Sequence, residues 1–144
     1  VALSTQVFEH TETLDYLDEL YRVLKPGGEL IMSVPFLYHV HEDFDHRRFT
    51  KQGVESALVS RGFEITELKT QGGIGSTLCI MHYYFMDMLV RNHTPRWLQI
   101  ILLPFMFIWL FVLVPIGNVV GIIFDTLDTT EQFYNNIFVV AQKK

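Results

Sequence analysis

Cysteine is almost missing from this chain: Cys79 stands alone among 144 residues. One thiol excludes an intrachain disulfide framework, and nothing in the cysteine usage marks an oxidising compartment. Basic residues are scarce too, 11 Lys and Arg against 16 Asp and Glu, for a formal net charge of -5. With no basic stripe to follow a phosphate backbone, nucleic acid is not an expected partner. The opening Val1-Ala2-Leu3-Ser4 has no Met, no basic stretch and no cleavage pattern, so it does not read as a signal peptide. The expectation is a cytoplasmic chain cut from a longer one. A further absence is local: no charged residue occurs between Arg96 and Asp125.

What is present is strongly apolar. Hydrophobic residues make up 49% of the chain and mean hydropathy is +0.24, more than a small water-exposed domain usually carries. The excess sits in residues 97–124, whereas the first half is patterned conventionally. Val1 to Leu3 reads as the end of a buried strand that opens into polar Ser4-Thr5-Gln6. Leu14, Leu17, Tyr21 and Leu24 recur at helical spacing with Asp15, Asp18, Glu19 and Arg22 on other faces. Pro26-Gly27-Gly28 ends that helix, since Pro cannot continue the ladder and Gly accepts a left-handed turn. Glu29 to Val34 suits a buried parallel strand.

Beyond a polar, aromatic loop over residues 35–49, Thr50 is placed to cap a helix with Val54, Ala57 and Leu58 inward. Phe63 to Leu68 alternates as a strand, and Gly72-Gly73-Ile74-Gly75 breaks the chain. Ser76 to Val90 is apolar almost all round and predicts a deeply covered helix. Ile137 to Ala141 predicts a terminal strand before a solvated tail. Strands alternating with helices indicate an α/β domain.

Val7-Phe8-Glu9-His10 and then Arg22-Val23-Leu24-Lys25-Pro26-Gly27-Gly28 resemble the core of small-molecule class I S-adenosylmethionine-dependent methyltransferases. Ser33-Val34-Pro35-Phe36, Arg48-Phe49-Thr50 and Arg61-Gly62-Phe63 add to the likeness, which covers roughly the first half of the chain. The resemblance implies an α/β, Rossmann-like sheet of which this chain holds strands four to seven. The last strand, Ile137 to Ala141, would insert antiparallel between the two before it, with the apolar helical insertion preceding it. It implies S-adenosylmethionine as cofactor, with Ser4, Thr5, Gln6 and Val7 at the carboxyl end of a strand, where ligands of open sheets gather. It also implies that the Gly-rich loop and the ribose-binding acid lie upstream, so this fragment alone should bind the cofactor weakly or not at all.

The densest titratable cluster is His39-Val40-His41-Glu42-Asp43-Phe44-Asp45-His46. In similar enzymes the segment after this strand covers the acceptor, which makes His41, Asp45 and Arg48 candidate catalytic residues. A His near neutrality can take a proton from the acceptor, and Arg48 can hold an anionic one. His10 is a fourth candidate. The competing readings are a solvated loop with local ion pairs, or a zinc-dependent hydrolase built on His39 and His41, whose usual motif would need His where Phe44 stands. Glu9-His10 is a metal-ligand pair in one branch of the class, but Gln6 replaces the acid that branch carries three positions earlier. No metal is therefore expected.

Trp97, Ile100, Leu103, Phe107, Trp109 and Phe111 give the uncharged stretch the composition of a membrane segment. A single crossing would separate the last two strands, and Pro104 and Pro115 divide the stretch. The expectation is a broken helical hairpin, peripheral or partly inserted, with Arg91, Arg96, Trp97 and Trp109 near the headgroups. A protein-covered cap or dimer interface is the competing reading. The sequence therefore predicts a single partial methyltransferase domain over 1–144 with a membrane-seeking insertion over 77–124. It would methylate a small or lipid-linked acceptor at the membrane surface, as a homo-oligomer or beside its missing half. The rival is a noncatalytic membrane-associated interaction module.

Overall fold

A computed structural model describes all residues, Val1–Lys144. They divide into two compact units, one of residues 1–71 with 134–144 and the other of residues 72–133.

The first unit is an α/β layer. Its strands are β1 (Ala2–Thr5), β2 (Glu29–Pro35), β3 (Phe63–Gln71) and β4 (Asn136–Lys143), and its helices are α1 (Asp15–Val23) and α2 (Lys51–Val59). The sheet order is β1-β2-β4-β3. β1 runs parallel to β2 with Leu3 opposite Ile31, and β4 is antiparallel to both neighbours. The final strand thus inserts against the grain between two others, as the resemblance implied. β1 continues through Ser4 and Thr5, two residues beyond the apolar run, because its ladder with Met32 and Ser33 is intact there.

Alternation builds the core. Leu30, Met32 and Val34 on β2 and Ile137, Val139 and Ala141 on β4 are fully buried, every second residue of each strand, as a sheet covered on one face requires. Leu17 from α1 and Val54 and Leu58 from α2 complete the same cluster. Thr50 caps α2 as its position predicts, its Oγ1 accepting from the Gly53 amide at 3.1 Å. Gly27, at φ +77, turns the chain into β2 and donates its amide to the Lys143 carbonyl at 2.9 Å.

The second unit is helical: α3 (Ile74–His93), α4 (Arg96–Ile108) and α5 (Val114–Leu127), with a π turn at Trp109–Leu113 joining the last two. Contacts between α3 and the returning helix define an antiparallel hairpin. Gly75 meets Gly121, and a Cβ added to Gly75 would fall 2.1 Å from the Gly121 carbonyl oxygen. Cys79 donates to the Gly117 carbonyl at 3.2 Å, Trp109 Nε1 donates to His82 Nε2 at 3.2 Å, and Gln99 Nε2 reaches the Val90 carbonyl at 2.9 Å.

Two expectations change here. α3 is not deeply covered: only Gly75 and Thr77 are buried, and Leu78 and Phe85 face outward. The prolines do not divide the next stretch, since Arg96–Leu127 forms one continuous helical run of 32 residues. Pro104 is accommodated within α4. Ahead of Pro115 the ladder widens, the Val114 amide reaching back five residues to the Trp109 carbonyl, so the proline falls in the opening turn of α5 where its missing N–H is least costly.

Candidate active site

Two adjacent parallel strands deliver the polar residues. After β1 the chain enters a short 3₁₀ turn, Phe8–His10; after β2 it enters the loop over residues 36–50. Their meeting point is pinned by the fully buried Phe8, stacked on Phe49 with ring centroids 4.9 Å apart. The backbone ties them as well, the His46 amide donating to the Glu9 carbonyl at 2.8 Å. This places a polar cluster at the carboxyl ends of parallel strands, where ligands of open α/β sheets bind.

Four sequence candidates come together there. The His10 and His41 rings meet edge to face at 5.1 Å. His41 Nδ1 lies 3.2 Å from Asp45 Oδ2, and the His41 amide donates to the same oxygen at 3.3 Å. Arg48 grips both oxygens of Asp45, with Nη2 at 2.5 Å from Oδ2 and Nη1 on Oδ1. Nη2 also donates to the His39 carbonyl at 3.0 Å. The guanidinium hydrogen bond holds the Asp45 carboxyl at about 2, below its ordinary 3.8, against the opposing effect of burial. Arg48 is pushed up by the same bond. His39 is pushed down, first by burial and then by His41 and Arg48, so it favours the neutral ring.

Chemically this is a carboxylate–imidazole pair fixed by an arginine. An acceptor at Nδ1 holds the His41 proton on that nitrogen and leaves the lone pair on Nε2, the tautomer a proton acceptor needs. Arg48 is committed to Asp45 and the His39 carbonyl, so an anionic acceptor would compete with Asp45 for it.

The strand-end residues are placed differently from one another. Ser4 is buried and its Oγ accepts from Tyr16 Oη at 3.5 Å. Thr5 is exposed and Val7 is 40% exposed. Gln6 adopts φ +53, a left-handed conformation unusual for a non-glycine residue. Its amide donates to the Ser33 carbonyl at 3.0 Å, and its Nε2 donates to Asn136 Oδ1 at 2.8 Å. Asn136 in turn donates to Gln71 Oε1 at 2.6 Å. Gln6 therefore starts an amide relay across the strand ends.

Glu9 is the residue that sequence reasoning left out of the site. It is fully buried, and neither carboxylate oxygen has a hydrogen-bond partner; His10 Nε2 lies 3.8 Å from Oε1. One donor atom each from Glu9, His10 and His41 lies within 4.8 Å of the others. These are the residues that could hold a divalent cation, and His39 is not among them. The sequence signal was the Glu9-His10 pair itself, which the resemblance marks as a metal-ligand pair in one branch of the class and which Gln6, in place of that branch's second acid, argued against.

A family model described as a methyltransferase domain matches residues 1–32, which span β1, α1 and most of β2. No curated protein matches the chain. Among solved structures, the [4+2]-cyclase SpnF is 16% identical at a TM-score of 0.48, with 99% of this chain and 48% of that one covered. The phosphoethanolamine N-methyltransferase 2 of Haemonchus contortus, in complex with S-adenosyl-L-methionine, is 18% identical at a TM-score of 0.47, with 98% and 32% covered. The chain thus spans about half the length of the first and about a third of the second.

Proposed function

We propose that the protein transfers the methyl group of S-adenosylmethionine to a small or lipid-linked acceptor, at a membrane to which residues 97–124 attach it. The observation that carries the reading is the His41–Asp45–Arg48 assembly beside the end of β1, in a sheet whose last strand runs antiparallel between two others. The methyltransferase-domain match over residues 1–32 supports it. In the reaction the acceptor's oxygen or nitrogen bonds to the methyl carbon as the carbon–sulfur bond breaks. The sulfonium becomes the neutral thioether of S-adenosylhomocysteine, and the acceptor's proton passes to His41 Nε2. Alignment of nucleophile, carbon and sulfur carries most of the acceleration, and Ser4 to Val7 border the cofactor.

The test uses the protein as its gene encodes it, purified in detergent and titrated calorimetrically with S-adenosylhomocysteine. Saturable binding that Gln6→Ala weakens about tenfold is the expected result. A folded protein without saturable binding overturns the reading in favour of the noncatalytic membrane module.

A second reading adds a divalent cation, held by Glu9, His10 and His41, that orients the acceptor; the buried Glu9 carboxylate without a hydrogen-bond partner favours it. The His41 lone pair would then serve the metal rather than the proton. Activity abolished by a chelator and restored by one cation supports this version. Activity indifferent to chelation rules it out.

A further inference from the structure

The helical unit carries an inference that deepens the membrane part of the reading above and rests on it. β3 and β4 are paired residue for residue, and the last pair is Gln71 with Asn136. The chain leaves the sheet at one of these residues and returns at the other. An excursion through a bilayer between them must therefore contain an even number of crossings. Two long helices lie in between: the Arg96–Leu127 run is by itself long and apolar enough to cross, whereas α3 is shorter and carries Asp87 and Arg91, and parity leaves two crossings or none.

The surface of the hairpin decides. A helix lying flat in the headgroup region needs a polar face turned to water. Arg96–Leu127 has none. Ile101, Phe105, Leu113, Leu110 and Ile100 point successively around its axis and each is exposed, and the 28 residues from 97 to 124 include no charge. A helix apolar on every side belongs in a protein core or in hydrocarbon, and none of the most apolar 18-residue window is buried.

Several polar groups of the hairpin find their partners inside it, as a medium without water favours. Trp109 serves His82, Cys79 serves the Gly117 carbonyl, and Asp87 pairs with Arg91 at 2.7 Å. At the tip, Gln99 Nε2 donates to the Val90 and Thr94 carbonyls, which the end of α3 would otherwise leave open. The glycine contact between Gly75 and Gly121 is the close backbone approach that packs helices in lipid.

Length agrees. The 17 residues of α3 ahead of the turn, 74–90, rise about 25 Å, at the short end of what a crossing needs. The longer return helix can tilt or extend into the headgroups. Polarity then returns at the turn, Arg91-Asn92-His93-Thr94-Pro95-Arg96. Along the sequence Arg61 and Lys69 precede the two helices and Lys143 and Lys144 follow them, four cations against the two arginines of the turn, which favours a cytoplasmic sheet unit by the positive-inside rule.

We propose that α3 and the Arg96–Leu127 helix both cross the bilayer as an antiparallel hairpin, with the Arg91–Arg96 turn on the membrane face opposite the sheet unit. The experiment is cysteine accessibility in the full-length protein carrying Cys79→Ser, with Asn92→Cys or His93→Cys in the turn and, separately, Lys144→Cys as the sheet-side reporter. Sealed vesicles of both orientations are treated with a membrane-impermeant maleimide, with detergent-opened vesicles as the labelling control. Turn and reporter labelled from opposite sides is the expected result. Labelling of both from one side, or of the turn only after detergent, overturns the two crossings while leaving membrane attachment in place. Recovery of the unmodified protein in the soluble fraction after detergent-free lysis overturns the membrane reading itself, and the crossings with it.

Discussion

Asp45 joins three groups at once, the His41 ring, the His41 amide and the Arg48 guanidinium, so its removal should be felt both in stability and in chemistry. Asp45→Asn leaves Arg48 without its charged partner and is expected to cost about 1–2 kcal/mol in urea unfolding at neutral pH. Because the folded carboxyl sits at about 2 against an ordinary 3.8, its contribution is fully present above the ordinary value. It is lost as pH falls through the folded one. The gap between wild type and variant should therefore close towards pH 2, and a gap that persists there would mean Asp45 acts through packing alone. His41→Ala should lower kcat about a hundredfold with KM little changed if Nε2 receives the acceptor's proton. An unchanged kcat would assign the transfer to alignment only. The residue types of this cluster were legible in the sequence, since His41, Asp45 and Arg48 lie within one loop. Glu9 was not: nothing in a short acidic–histidine pair says that the fold buries its carboxylate completely.

Elements were legible where local chemistry alone sets them. Thr50 announced α2 through its capping hydroxyl, and Thr50→Ala should cost about 1 kcal/mol of thermal stability. The turn at Gly27 announced β2 in the same way. The reading failed where the surroundings decide. Pro104 and Pro115 read as breaks because an intrahelical proline loses a bond to the preceding turn, yet a π turn at Trp109–Leu113 absorbs the second and the helix continues. α3 read as deeply covered because apolar residues lie almost all round it, a pattern that does not by itself say what, if anything, covers it. The hairpin seam was equally silent, since Gly75 and Gly121 are 46 positions apart (121 − 75) and meet only in three dimensions. Gly75→Val drives a side chain into the Gly121 backbone, so it should open the hairpin. Loss of protease protection across residues 74–127 is the expected readout; full protection would show that the seam yields without cost.

At the scale of the whole chain, two units with different demands share one covalent thread. The sheet unit has its own buried cluster and hydrogen-bonded closure, including Asn135 to Gln71 at 3.1 Å and the Tyr134 hydroxyl accepting from the Lys51 amide at 3.1 Å. The helical unit supplies no residue to that cluster. Since Gln71 and Asn136 are already opposite each other, replacing residues 72–133 by two glycines leaves a four-residue connection that includes Tyr134 and Asn135. That length suits an antiparallel pair and keeps the register of β3 and β4. In the full-length protein this deletion should abolish membrane sedimentation while preserving cooperative unfolding and S-adenosylhomocysteine binding, because Ser4 to Val7 and the His41–Asp45–Arg48 assembly are untouched. Retained binding with lost sedimentation would assign cofactor chemistry to the sheet and location to the hairpin. Cofactor binding lost from a deletion protein that still unfolds cooperatively would show that the helices help form the cofactor site, and that the two units do not divide these roles.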